Sequence, residues 1–435
     1  MQATDKPHSV WKRLYYSLRE KLAQRLDRLG WGTPVAKDAA WSLILKIIYT
    51  GISFLIAVAL ARLLGAEGYG IYAYAYAVVI LLALPAHAGL PNLVVRETAR
   101  GMAANQPSRV QGIWRWSARL AGLISLTLAL LTSLVLIIWK GGRMGAGEWT
   151  MAWALALIPL VALGNLRGAA LRGLHRIVSG QLPGFVIRPA LFLLLLGGLA
   201  LVDNRQFNPP QAMALHVLAA AIAFGAGVWL LWRNMPQPVR QAQPRFEGRA
   251  WFASTLPLAF IASMQLVNNH ADILVLGFFK PSDQVGIYRV AVQVAALSSF
   301  GLQAVNAVVA PRFAKLYTQG NMERLQRLVT GSARVVFVFN LLTVVFFFAL
   351  GRPLLGLVFG GVFVNSYVPL VILMAGQMVN SAAGSVAFLL GFVLAFLVSG
   401  ETSIVGVHSP VMIFLSGALS IIALILPGIS GAFIL

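Results

Sequence analysis

The chain has 435 residues, 59% hydrophobic and 11% charged, with a formal net charge of +21 and no cysteine. A soluble domain carries about 25% charged residues, and several stretches here exceed the roughly 18 apolar residues that cross a bilayer, so the protein is polytopic and all-α. The absence of thiols excludes a disulfide framework and a thiolate site, and the absence of ~10-residue alternating segments excludes a membrane β-barrel.

The first 40 residues are polar and basic, which argues against a cleavable signal peptide. Within them Trp11, Leu14, Leu18, Leu22, Leu26 and Leu29 recur every three or four residues, with Lys and Arg on much of the opposite face. This pattern predicts a basic amphipathic helix lying on an anionic leaflet, or packed on cytoplasmic loops. About eleven spans follow. The first six are 41–63, 71–90, 120–139, 151–171, 183–202 and 212–232. A basic linker at 233–250 precedes 252–279, 285–310, 335–350, 367–399 and 411–429. The expected organisation is a cytoplasmic segment 1–40, a six-helix bundle 41–232, the linker, a four-helix bundle 251–390 and an atypical membrane segment 391–435.

One motif is written twice. Gly70-Ile71-Tyr72 and Gly286-Ile287-Tyr288 each open a span, 216 residues apart, and the same offset places Arg96 on Arg312. The copies are six spans apart, so both run the same way through the membrane. They predict two parallel pseudo-repeated bundles related by an axis along the membrane normal.

The basic charge reports topology more than nucleic-acid binding. Of 34 Lys and Arg, 26 fall in the N-terminus and in loops after even-numbered spans, including Arg167, Arg172, Arg176 and Arg188. Six lie in the intervening loops, and Lys46 and Arg289 lie within spans. The positive-inside rule then places the N-terminus in the cytoplasm of a plasma-membrane protein.

Signatures of catalysis are sparse. There is no nucleotide-phosphate loop of the Gly-x-x-x-x-Gly-Lys-Ser/Thr type, the six histidines lack metal-ligand spacing, and the 13 carboxylates form no close pair at a membrane face. The chain reads as a mover of substrate and not as an enzyme. Polar residues inside spans are then the informative ones. Asp272 follows Asn268, Asn269 and His270, and a mid-bilayer charge costs roughly 2.5–3.5 kcal/mol on insertion scales. A cavity role and a plain interfacial carboxylate both fit its late position in the span. Lys46 and Arg289 can line a cavity or snorkel to an interface. Arg62 caps the first span, with Glu67 as a partner. Together Lys46, Arg62 and Arg289 are expected to form a cationic cavity for a diphosphate, with Asn268 and Asn269 as polar lining and Asp272 as an ion-coupling group. The offset equivalents of Lys46 and Asp272 are Ala262 and Ile56, so the halves share a scaffold but not these charges. Gln265, Asn306 and Asn340 are expected to hydrogen-bond between helices.

Several motifs resemble the polysaccharide-export branch of the multidrug/oligosaccharidyl-lipid/polysaccharide flippase superfamily. They are Ala61-Arg62-Leu63-Leu64-Gly65 before Gly70-Ile71-Tyr72; Val94-Val95-Arg96-Glu97; Ala271-Asp272-Ile273 through Gly277 before Val285-Gly286-Ile287-Tyr288; and Ala310-Pro311-Arg312-Phe313-Ala314 with Tyr317. The resemblance covers about 40–390. It implies two helical bundles around a cavity that alternates between membrane faces, a polyprenyl-diphosphate-linked oligosaccharide substrate, no cofactor, and neighbours among polysaccharide polymerase or assembly proteins. From 391 onward, with Leu426-Pro427-Gly428-Ile429-Ser430-Gly431, the tail resembles a different membrane family linked to undecaprenyl phosphate recycling. The second bundle is therefore expected to be incomplete, from a truncated or chimeric gene or, alternatively, in a genuine short flippase with an aberrant tail. Alternatives are a lipid II or drug exporter of the same superfamily, a membrane glycosyltransferase or polymerase, and a non-transporting scaffold.

Overall fold

The computed structural model describes residues 34–87, 89–140, 144–202, 207–297 and 319–376, with the single positions 309, 316 and 378. The amphipathic segment, Asn306, Arg312, Tyr317 and all of 391–435 lie outside the described residues, as do the side chains of Gln265 and Asn268. Every long element is a helix, because a chain in hydrocarbon must satisfy its backbone polar groups internally. Six described helices are long and apolar enough to cross a membrane, and a bent pair makes a seventh.

Helix α1 (Pro34–Leu82) holds the first two predicted spans, separated by Gly65 with φ 68° and ψ −176°. Only glycine takes this conformation cheaply. A straight helix from Tyr49 to Tyr76 would run about 40 Å. Both residues nevertheless line one cavity, so the chain folds back at Gly65. Short α2 (Leu84–His87) leads to α3 (Leu90–Ala103), then α4 (Pro107–Lys140). A break at Ala156 separates α5 (Ala146–Leu155) from α6 (Leu157–Gly173). Next come α7 (Ile177–Leu182), a π-helical turn (Pro183–Ile187) and α8 (Arg188–Val202). The Asn208/Gln211 capping box starts α9 (Pro209–Asn234), and α10 (Gln237–Gln241) begins the linker. The second half has α11 (Gly248–Phe279), bent by 56° between Met264 and Asn269, and α12 at 282–297. It continues with α13 (Met322–Phe359), a 3-10 turn (Gly361–Ser366) and α14 at 367–376.

The repeat survives as physical contact. A methyl added at Gly70 would overlap the carbonyl oxygen of Ser282, and one at Gly286 would overlap that of Ala66. Ala66 and Ser282 are themselves 216 residues apart, so the contact is reciprocal under the repeat and marks the axis between the halves. The main core spans this junction, joining Leu60, Tyr72 and Val79 to Ile158, Leu196 and Met213, and to Val290, Val294 and Leu370. Outward, Leu123, Leu126, Leu130, Leu134 and Ile138 form an exposed helical stripe on α4 suited to lipid.

Residues Arg96 and Glu97 of the Val-Val-Arg-Glu motif anchor the linker to the first half. Glu97 is only 2% exposed and pairs with Arg96 at 3.2 Å, Arg100 at 3.5 Å and Arg109 at 3.0 Å. Arg109 also reaches Glu247 at 3.2 Å, while Arg245 N donates to Ser108 O at 3.0 Å. Gly112 makes the approach possible, since a methyl there would overlap the carbonyl oxygen of Arg245.

Candidate substrate cavity

A cavity of about 300 Å³ lies between the halves. The folded-back α1 supplies Tyr49, Ser53, Tyr69, Tyr72 and Tyr76, α8 supplies Arg188 and Phe192, and α9 supplies His216. The second half adds Arg289 and Gln293 from α12. Among the described residues no Asp or Glu lines it. Its walls are aromatic and ordered: Tyr72 Oη and His216 Nδ1 are 2.7 Å apart, Phe192 stacks on His216 at 4.6 Å, and the rings of Tyr72 and Tyr76 are parallel within 3°. Phenols and a buried imidazole give flat faces for sugar rings and hydroxyls for their polar edges. Two guanidiniums, one from each half, give the cavity a positive field with no lining carboxylate to cancel it. Guanidinium matches phosphate geometry in a two-pronged hydrogen bond.

Of the residues expected from sequence, Arg289 lines this cavity, half-buried, one position after the second Gly-Ile-Tyr copy. Lys46 is exposed on α1, about one turn before Tyr49 and Thr50, and its carbonyl accepts from Thr50 Oγ1 at 2.9 Å. It is not among the lining residues. Arg62 turns away from Glu67: its Nε donates to Val358 O at 2.9 Å and its Nη2 to Leu357 O, so it caps the C-terminus of α13 across the two halves. Free carbonyls at a helix C-terminus carry partial negative charge, and a cation satisfies them. Asp272 accepts from Tyr288 Oη at 3.0 Å and from the amide of Ile273 at 2.8 Å. Asn269 is exposed at the bend in α11. Asn340 is buried, and its Oδ1 meets no partner among the described residues.

Arg188 and His216, to which the sequence reading gives no cavity role, complete the lining, whereas Arg167 is buried outside it. Arg188, counted there with the loop arginines, begins α8 directly after the π-helical turn. Arg167, counted with it, is 8% exposed inside α6. An available signal was that both numbers fall within predicted spans, where an ionisable residue is a functional candidate by default. His216 was weighed only as a metal ligand, and its partners come from α1 and α8, far away in sequence.

Residues 35–317 match the family described as "Polysaccharide biosynthesis protein". Residues 284–435 match a family described as "Undecaprenyl phosphate translocase-like", overlapping the first over 284–317. A relative in Haloferax volcanii, named "Probable low-salt glycan biosynthesis flippase Agl15", is 25% identical over 349 residues, covering 79% of this chain and 69% of its own. An inward-facing multidrug resistance MATE family transporter of the MOP superfamily has a similar fold, with TM-score 0.57, 14% identity and coverage of 89% of this chain and 96% of that one. An outward-facing structure of such a transporter gives TM-score 0.52 at 13% identity, covering 90% and 94%. With the matched region taking in both copies of the repeat and more than half of the chain, this multi-span membrane protein belongs to the polysaccharide biosynthesis protein family.

Proposed function

We propose that the protein moves a polyprenyl-diphosphate-linked oligosaccharide from the cytoplasmic to the outer face of the bacterial inner membrane, by alternating access of its two halves. The observation that carries this reading is the placement of Arg188 and Arg289, one per half, in an aromatic cavity that no carboxylate lines among the described residues. A diphosphate held between arginines of opposite halves senses their relative position, which is what a moving carrier requires. The tyrosines and His216 suit the sugar. The name of the Haloferax relative, a glycan biosynthesis flippase, points the same way. A drug exporter for cationic compounds would need acidic lining in place of these arginines.

In this reading Lys46 meets the substrate at the cytoplasmic mouth and Arg62 ties the halves at the outer end. Asp272, held by Tyr288, is the coupling group. The N-terminus faces the cytoplasm. The test is a deletion strain that accumulates lipid-linked sugar on the cytoplasmic leaflet. Wild type restores export, whereas Arg188→Gln and Arg289→Gln, inserted at normal levels, do not. Full export by both variants would overturn the reading.

A further inference from the structure

A second, smaller cavity of about 100 Å³ lies entirely within the first half, between α6, α7, the π-helical turn and α9. Its lining contains three arginines, Arg167, Arg172 and Arg188, and among the described residues no Asp or Glu. Arg188 also lines the larger cavity, so the two share a wall.

The site is built, not incidental. Gly168 and Gly180 bring α6 and α7 together so closely that a methyl on either would sit 2.7 Å from the other's carbonyl oxygen. The π-helical turn then redirects the chain and places Arg188 on the same cavity. Arg167 is 8% exposed, and its Nη1 donates to Ala223 O at 3.2 Å and Phe224 O at 3.1 Å. Gly227 makes room for this guanidinium, because a methyl there would overlap it. Those bonds fix the side chain yet leave its Nε without a partner, and Gln181 Oε1 on the opposite wall is also unpartnered. Neither Arg172 nor Arg188 has an ion pair among the described residues. A buried guanidinium nitrogen left open is costly, and three like charges repel; an anion relieves both.

We infer that this three-arginine cavity binds a phosphate or diphosphate ester, beside the larger cavity and distinct from it. Arg167 is the fixed donor, Arg172 and Arg188 are the movable ones, and Gln181 Oε1 accepts from a hydroxyl of the protonated phosphate. A phosphate held here lies next to Arg188, from which it can pass to Arg289. The transfer rests on the proposed function; the anion site does not.

The test uses the full chain in nanodiscs of neutral lipid, titrated with inorganic pyrophosphate by calorimetry. Wild type is expected to bind, and Arg172→Gln to weaken binding at least tenfold. Arg167→Gln risks the fold, so Gly184→Asp serves as the second variant: a Cβ at this lining glycine meets nothing within 4 Å, and the substitution adds a carboxylate to a lining that holds three arginines. It is expected to remove this site's binding event, while Gly225→Ala, outside both cavity linings and with nothing within 4 Å of its Cβ, stays within threefold of wild type. Unchanged binding in both Arg172→Gln and Gly184→Asp overturns the site. Repeating the titration with phosphatidylglycerol in the nanodisc identifies the source. Competition marks a membrane phospholipid headgroup, and its absence marks a diphosphate that arrives on its own carrier. If the site stands while Arg188→Gln and Arg289→Gln both export normally, the anion site survives and the flippase reading fails.

Discussion

Arg289 and Arg188 approach the cavity from opposite halves, and each is expected to make a charge-assisted contact with the substrate. Such a bond contributes about 1.5–3 kcal/mol, so removing either side chain should lower apparent substrate affinity about 10- to 100-fold. Flipping of a fluorescent polyprenyl-diphosphate sugar in proteoliposomes measures this, with Arg→Lys retaining more than Arg→Gln. Glycines make the other residue-scale forecast. Gly70→Ala and Gly286→Ala each force a methyl onto the partner half's backbone, with an expected cost of about 1–3 kcal/mol. Gly225→Ala, where a Cβ meets nothing within 4 Å, should leave thermal stability unchanged or slightly raised. Arg289 was legible in the sequence as a charge inside a span. Arg188 was less so, since the charge count groups it with the loop arginines and its value depends on the π-helical turn that precedes it. Tyr72 was visible only as one letter of a repeat; its hydrogen bond to His216 crosses 144 residues.

Elements divide the labour differently from motifs. The Arg96-Glu97 pair on α3 belongs to a motif shared with the family, and Glu97 holds Arg109, which in turn reaches Glu247 on the linker between halves. Glu97→Gln strips a buried carboxylate of three cationic partners. It should lower stability by about 2–3 kcal/mol, below the range for a fully enclosed pair because Arg96 and Arg100 reach water. Glu247→Gln, on a group 25% exposed, should cost under about 1 kcal/mol. Melting temperatures of the purified variants check the order. The break at Gly65 is the matching case on α1. The sequence showed two spans with a glycine-rich joint, but not that a single left-handed residue turns the chain back to make both spans line one cavity. The 56° bend in α11 likewise falls where Asn268 and Asn269 interrupt an apolar run.

The whole molecule is two repeats meeting along an axis, with a chain that contains no cysteine of its own. That makes its orientation directly testable. Gln106→Cys, just before α4, and Ala146→Cys, at the start of α5, both at exposed positions, should react with a membrane-impermeant maleimide from the cytoplasmic and outer sides respectively. Labelling from the reverse sides would invert the topology that the arginine count predicts. Membrane class, the approximate spans, the charge asymmetry and the parallel repeat were all determined by sequence alone, because each depends on composition or period and neither needs a distant partner. The tertiary structure alone decided which charges face a cavity, that Arg62 caps a helix while Arg188 does not, and that Gly70 and Gly286 are each other's neighbours. Those outcomes depend on helices that meet across tens to hundreds of residues, and close packing between them admits a guanidinium or a backbone only where the opposing side chain is missing.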